Sequence, residues 1–265
     1  MKTTKGTLGD DYLVTGDPAD QVKYGLDGND YVFSNAGNDK LYGGAGNDVM
    51  GGDAGNDLMK GGTGDDAMFG GGNDDTMSGG ADNDKMFGDA GHDVIKGNTG
   101  DDVIYGYNPN DSVIWAYNDN DTIFGGKGND TVYAGPGQDV VYGGTGNDAL
   151  DGGDGADTLT GGQGTDTLTG GSGDDLFIWS KGDVTKTAGV DHLTDWSSGD
   201  VMDMTSLLKT ITSDHGARVH LTDSADGQML SVMLSKSGGY VDVVMLDGQH
   251  DLAVADLMAS HGLLI

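Results

Sequence analysis

Aspartates recur every nine residues through the middle of this sequence, at Asp121, Asp130, Asp139, Asp148, Asp157, Asp166 and Asp175. The same spacing runs back through Asp102, Asp93, Asp84, Asp75, Asp66, Asp57, Asp48, Asp39 and Asp30, with further matches at Asp11, Asp20 and Asp111. Most follow a Gly-Gly-x-Gly-x lead-in, as in GGTGNDALD and GGDGADTLT at 143–160. All 44 acidic residues are aspartates and none is a glutamate. Glu favours helices, whereas the short arm of Asp suits turns. A carboxylate held close to a turning backbone has an obvious use in gripping a hard cation. Acid–base catalysis is a weaker reading, because the aspartates repeat uniformly and no pair stands out. There is no HExxH motif in a chain without Glu and no GxSxG elbow, and the six histidines show no ligand spacing. The chain is expected to have no enzymatic activity.

The elements that position these aspartates follow from the whole unit, G-G-x-G-x-D-x-U-x with U apolar, which fits nineteen times. Every U position is apolar, from Leu13, Val22 and Val32 through five methionines (Met50 to Met86) to Val113, Ile123 and Phe177. So much glycine excludes a helix. The last three residues of each unit form a short strand with the middle side chain inward. The first six form a turn in which glycine supplies positive φ and close approach. One strand each way makes a two-sheet solenoid with coils about 4.8 Å apart. Its core is a single line of U side chains. Stacked turns bring carboxylates and carbonyls into one narrow space, which suits a cation taking about six to eight oxygens, calcium rather than magnesium. The formal charge of -31 has few cations to offset it, with 13 Lys plus Arg. Roughly one Ca²⁺ per turn would be of the right order.

The units GGTGNDALD, GGDGADTLT, GGAGNDVMG and GGKGNDTVY resemble the calcium-binding nonapeptides of the RTX (repeats-in-toxin) or hemolysin-type family. The resemblance implies an all-β parallel β-roll over residues 1–178, with calcium between successive turns on the same side. It implies ligands from the sixth-position carboxylates Asp30, Asp39, Asp48, Asp57, Asp66, Asp75, Asp84, Asp93, Asp102, Asp121, Asp130, Asp139, Asp148, Asp157, Asp166 and Asp175. Carbonyls at positions two and four join them: Gly44, Gly46, Gly55, Gly126, Gly128, Gly135, Gly137, Gly144, Gly146, Gly153, Gly155, Gly162 and Gly164. Asn73, Asp82 and Asp119 stand where position four is usually Gly, and Asn and Asp tolerate the left-handed conformation needed there. The units with Pro18 and Pro109 carry one extra residue, as expected of rerouted turns that hold calcium weakly or not at all.

If units alternate strictly between sheets, the outward ninth positions form two faces. One carries Phe33, Phe69, Phe87, Tyr105, Phe124 and Tyr142; the other carries Lys23, Tyr42, Lys60, Lys96 and Tyr133. The aromatic column either stabilises its sheet by cross-strand stacking or offers a docking face for a polysaccharide or for self-association.

Residues 179–265 lose the glycine pattern and are expected to form a small β-rich cap that ends in a short helix from about Leu252 to before Gly262. The segment 191–204, DHLTDWSSGDVMDM, resembles the sequence that follows the repeats in type I-exported proteins, through Asp191, Leu193, Asp195, Trp196, Gly199, Asp200, Met202 and Asp203. That resemblance implies an uncleaved C-terminal export signal and a type I secretion apparatus as partner. No N-terminal apolar leader, no membrane-spanning run and no basic patch for nucleic acid is visible. Absence of Cys excludes disulfides. The expectation is a secreted calcium-binding module that folds outside the cell, part of an exported protein or adhesin. Its alternatives are a carbohydrate-binding module resembling the R-modules of alginate epimerases, or a structural spacer at the cell surface.

Overall fold

The computed structural model describes residues 2–107, 119–180, 183, 190–197 and 199–204, and the backbone of strands at 219–223, 227–233, 240–247 and 263–264. It is an all-β parallel solenoid. Eighteen strands, from Tyr12–Val14 to Leu176–Ile178, alternate between two sheets and make about nine coils. Strand pairing keeps equivalent positions in line, as with Leu41↔Met59 and Met59↔Met77 in the first sheet. The second sheet shows the same for Met50↔Met68 and Met68↔Met86. The core is therefore a thin file of U side chains, fully buried at Val32, Leu41, Met50, Met59, Met68, Met77, Met86, Ile95, Ile104, Ile123 and onward to Phe177. The flexible thioethers of the methionines fill the narrow space between sheets.

Two units depart from the expected pattern. Residues 108–118, which include Pro109, Asp111 and Val113, lie outside the described residues. The sheets nevertheless close across that gap, because Ile95 pairs with Ile123 and Ile104 with Val132. Gly106 and Asp121 stand to each other as the first and sixth positions of a unit do: a Cβ on Gly106 would lie 2.3 Å from Asp121 Oδ2, as one on Gly97 would lie 2.2 Å from Asp102 Oδ2. Among the described residues, Val103–Tyr105 is followed directly by Thr122–Lys127 in strand order. All later strands consequently exchange sheets relative to strict alternation.

The Pro18 unit is displaced in register. Lys23, not Val22, aligns with Leu41 and occupies the core file, where it is buried, and Val22 aligns with Lys40. The extra residue sits before the strand, so the sixth-position place falls to Gln21 rather than Asp20. An additional strand, Lys2–Lys5, pairs with Gln21–Asp27 and begins the first sheet. Nothing in the sequence KTTK carries the repeat pattern, so this strand was not foreseen.

Both sheets continue beyond residue 178. Asp191–Leu193 pairs in parallel with Thr167 and Leu168, and Val201–Asp203 with Leu176–Ile178. Strands Val219–Asp223, Gly227–Met233 and Tyr240–Asp247 then form an antiparallel meander that joins the second sheet through Asp191–Leu193. Leu263–Leu264 closes the first sheet against Met202–Asp203. The expected helix falls on residues outside those described.

Candidate metal centre

The sixth positions form two hydrogen-bonded ladders, one along each row of turns. In one, each backbone N–H donates to Oδ1 of the next member along Asp11, Asp30, Asp48, Asp66, Asp84, Asp102, Asp130, Asp148, Asp166 and Asp191. The other runs Gln21, Asp39, Asp57, Asp75, Asp93, Asp121, Asp139, Asp157, Asp175 and Asp200. Donor–acceptor distances are 2.6 to 3.1 Å in both ladders. The ladders hold one carboxylate oxygen of each aspartate and leave the other to find a partner.

For fifteen of the sixteen interior aspartates that partner is missing: Oδ2 is buried without a hydrogen bond at every one except Asp121. Leaving a buried carboxylate oxygen unpaired costs about 1–3 kcal/mol or more. Burial accordingly pushes the ladder carboxyls from Asp48 to Asp166 up, to about 7 at Asp57 and Asp66 and about 8 at Asp75, Asp84 and Asp121. Neighbouring aspartates add to the rise, while the ladder N–H groups oppose it. The site is built as though charge compensation were to come from outside the chain.

Glycine spacing keeps that place open. A Cβ on Gly43, at position one, would lie 2.2 Å from Asp48 Oδ2 and 2.7 Å from the Gly61 carbonyl oxygen of the next coil. Gly44, at position two, has φ +128°, and a Cβ there would meet the Leu26 carbonyl oxygen at 1.8 Å. Gly46, at position four, has φ +118° and faces the Gly28 carbonyl oxygen in the same way. The position-one carbonyl thus lies beside the Asp Oδ2, and the carbonyls at positions two and four face the glycines of the next coil. Position one was missed in the sequence, where its glycine reads only as part of the turn. Asn73 and Asp82 take positive φ as expected, at 80° and 76°. Gly137, after Pro136, has no left-handed φ.

Among the described residues no three acidic or imidazole side chains converge on one point. A cation here must draw its remaining oxygens from backbone carbonyls, which suits calcium's tolerance for irregular, carbonyl-rich cages better than it suits magnesium. Unpartnered buried carboxylate oxygens beside converging carbonyls fit a hard cation. A family model for the RTX calcium-binding nonapeptide repeat matches residues 24–59, 52–86, 87–114, 115–150 and 142–177. The chain belongs to that family. RTX repeats bind calcium and are structural rather than enzymatic units. No curated protein sequence matches the chain. Among solved structures, it is similar to the AlgE6R3 subunit of the Azotobacter vinelandii mannuronan C5-epimerase, at 27% identity over 49% of this chain and 71% of that one, with a TM-score of 0.20.

The outward aromatics are arranged differently from the strict alternation. Phe69, Phe87, Tyr105 and Tyr133 stack in one column on the second sheet, with centroids 5.0–5.1 Å apart. Phe33 lies on the same sheet, with its ring over Gly51. Phe124 and Tyr142 belong to the first sheet, stacked 4.9 Å apart, because Phe124 pairs with Lys96 of that sheet. Phe87 is only 4% exposed. The single six-residue docking face is therefore split, and its central ring is covered.

Proposed function

We propose that this chain is a calcium-dependent folding module whose sixteen interior ladder aspartates, Asp30 to Asp175, hold calcium together with carbonyls at positions one, two and four. The observation that carries this reading is the row of buried, unpartnered Oδ2 atoms. Bound calcium supplies the positive charge that lets these carboxylates remain ionised inside the roll. Without it, the interior carboxylates repel one another around a core one side chain thick. Binding free energy then becomes folding free energy. Sites of this kind in extracellular modules bind at roughly 10⁻⁴ to 10⁻³ M. Such a chain stays unfolded at low intracellular calcium and folds outside.

That behaviour suits a secreted or cell-surface protein exported by a type I route, with residues 179–265 as cap and export signal and the roll as part of a larger exported protein or adhesin. Circular dichroism of the chelated chain during calcium titration tests the folding step. A cooperative gain of β signal with calcium but not magnesium is expected; a full β signal in chelator would contradict it.

A second reading, recognition of an anionic polysaccharide, is favoured by the outward face of the first sheet. Its ninth-position column reads Lys5, Tyr24, Tyr42, Lys60, Ser78, Lys96, Phe124, Tyr142 and Thr160, with no aspartate until Asp203 beyond Ile178. Lys5 lies over Tyr24 and Lys96 over Phe124, at 5.3 and 5.4 Å. On a chain of charge -31 this cationic, aromatic stripe stands apart. Isothermal titration with polyuronate in calcium tests it. K60S/K96S should lose any binding, whereas no heat with the native chain would exclude it.

A further inference from the structure

The two ladders do not simply stop. We propose that their four terminal turns are closed by protein donors in place of calcium, so that the ion array has fixed ends built into the chain. This rests on the calcium reading of the interior turns and adds where the array begins and ends.

At the C-terminal end, Asp191 continues its ladder as the interior aspartates do, accepting the Asp166 N–H on Oδ1 at 2.9 Å. Its Oδ2, however, accepts the indole Nε1–H of Trp179 at 2.7 Å. Both side chains are buried, Trp179 at 1% exposure and Asp191 at 3%. The indole thus supplies the hydrogen bond that the interior Oδ2 atoms lack. Trp179 also packs on Phe177, and the core file continues beyond both through Leu193 and Met202. The companion ladder ends at Asp200, whose Oδ2 accepts the Ser197 N–H and whose Oδ1 accepts both the Asp175 N–H and the Ser197 hydroxyl.

The N-terminal ends use other groups to the same effect. Asp11 Oδ2 accepts the N–H and the hydroxyl of Thr7. In the companion ladder the carboxylate is replaced by the neutral amide of Gln21, with Nε2 donating to the Asp17 carbonyl and Oε1 accepting the Thr15 hydroxyl. Next to it the chain supplies its own cation: the buried Lys23 ammonium, in the core file, donates to the Phe33 carbonyl. All four ends therefore satisfy their polar groups internally. Fifteen of the sixteen places between them do not.

Calcium counting by native mass spectrometry separates the two claims. D148N, in a ladder interior, should lose at least one ion from the full complement, and D191N should keep it. Q21D/K23L, which converts an end turn to the interior pattern, should gain one. Loss of an ion in D191N equal to that in D148N, or no gain in Q21D/K23L, would overturn the end closure. Retention of the full count by D148N would overturn the calcium reading of the interior instead. W179F provides a readout independent of ion counting. Hydrogen exchange at the Asp166 amide should accelerate about tenfold relative to the parent in saturating calcium, with the Asp48 amide unchanged. An unchanged Asp166 rate would show that the indole is only core filling.

Discussion

The turn of Asp48 and the turn of Gln21 share one backbone plan and solve opposite problems. In both, the sixth-position N–H donates to the aspartate one coil on, and the adjoining strand pairs in register. In the first, a buried carboxylate oxygen beside converging carbonyls has no partner within the chain. In the second, an amide and an ammonium satisfy the same region from within. The β-roll backbone therefore does not itself require a metal. On the calcium reading, the requirement resides in one side chain per turn, and the chain removes it where the stack must end.

The largest expected effect comes from changing what compensates the interior carboxylates. From Asp48 to Asp166 the ladder carboxyls have pKa values raised by burial to about 6 to 8. A carboxyl whose folded pKa lies above its unfolded value near 3.9 stabilises the fold fully below that unfolded value, and the contribution is lost as pH rises through the folded pKa. The calcium-free chain should therefore gain β structure as pH falls from 8 to about 5, and circular dichroism in chelator checks this. With calcium the dependence reverses, since protons compete with the ion and the midpoint calcium concentration should rise on acidification. A calcium-free chain that loses β structure on acidification over that range would break the distinction between interior and end turns.

Steric substitutions come next. Gly43→Ala places a methyl against Asp48 Oδ2 and the Gly61 carbonyl and should destabilise the calcium-bound roll by about 1–3 kcal/mol in thermal denaturation. Gly9→Ala and Gly16→Ala, in the first coil where no atom lies within 4 Å of the added Cβ, should stay within about 0.5 kcal/mol of the parent. In the core, Met68→Ala should cost about 2–5 kcal/mol, because a file one side chain wide has little to collapse into the cavity. The smallest effect sharpens the picture at the boundary of the array. Leu26 holds φ 94° at a second position, where glycine is usual, so Leu26→Gly should raise stability by about 1 kcal/mol.

Much of this was legible in the sequence. The nine-residue spacing identified the sixteen interior aspartates and the apolar file, because each follows from the local geometry of one turn and one strand. Three features were not legible, for physical reasons. The motif around Asp111 and Val113 reads as a unit, yet sheet pairing passes from Ile95 to Ile123, and no local pattern announces which strands pair across it. The extra residue of the Pro18 unit was visible, but its position within the unit decides whether Val22 or Lys23 turns inward, and strand pairing settles that. The hydrogen bond from Trp179 to Asp191 was hidden because it depends on a buried side chain meeting a different coil.

The most direct measurement is hydrogen exchange at the ladder amides of Asp48, Asp57, Asp75 and Asp148 at pH 7.5, with calcium and with chelator. These N–H groups donate only to aspartates of the neighbouring coil, so they report the stack itself. Strong protection in calcium that falls to unfolded-chain rates in chelator is the predicted result. Equal protection in both conditions would mean that the interior carboxylates are accommodated without a metal, and the central claim would be wrong.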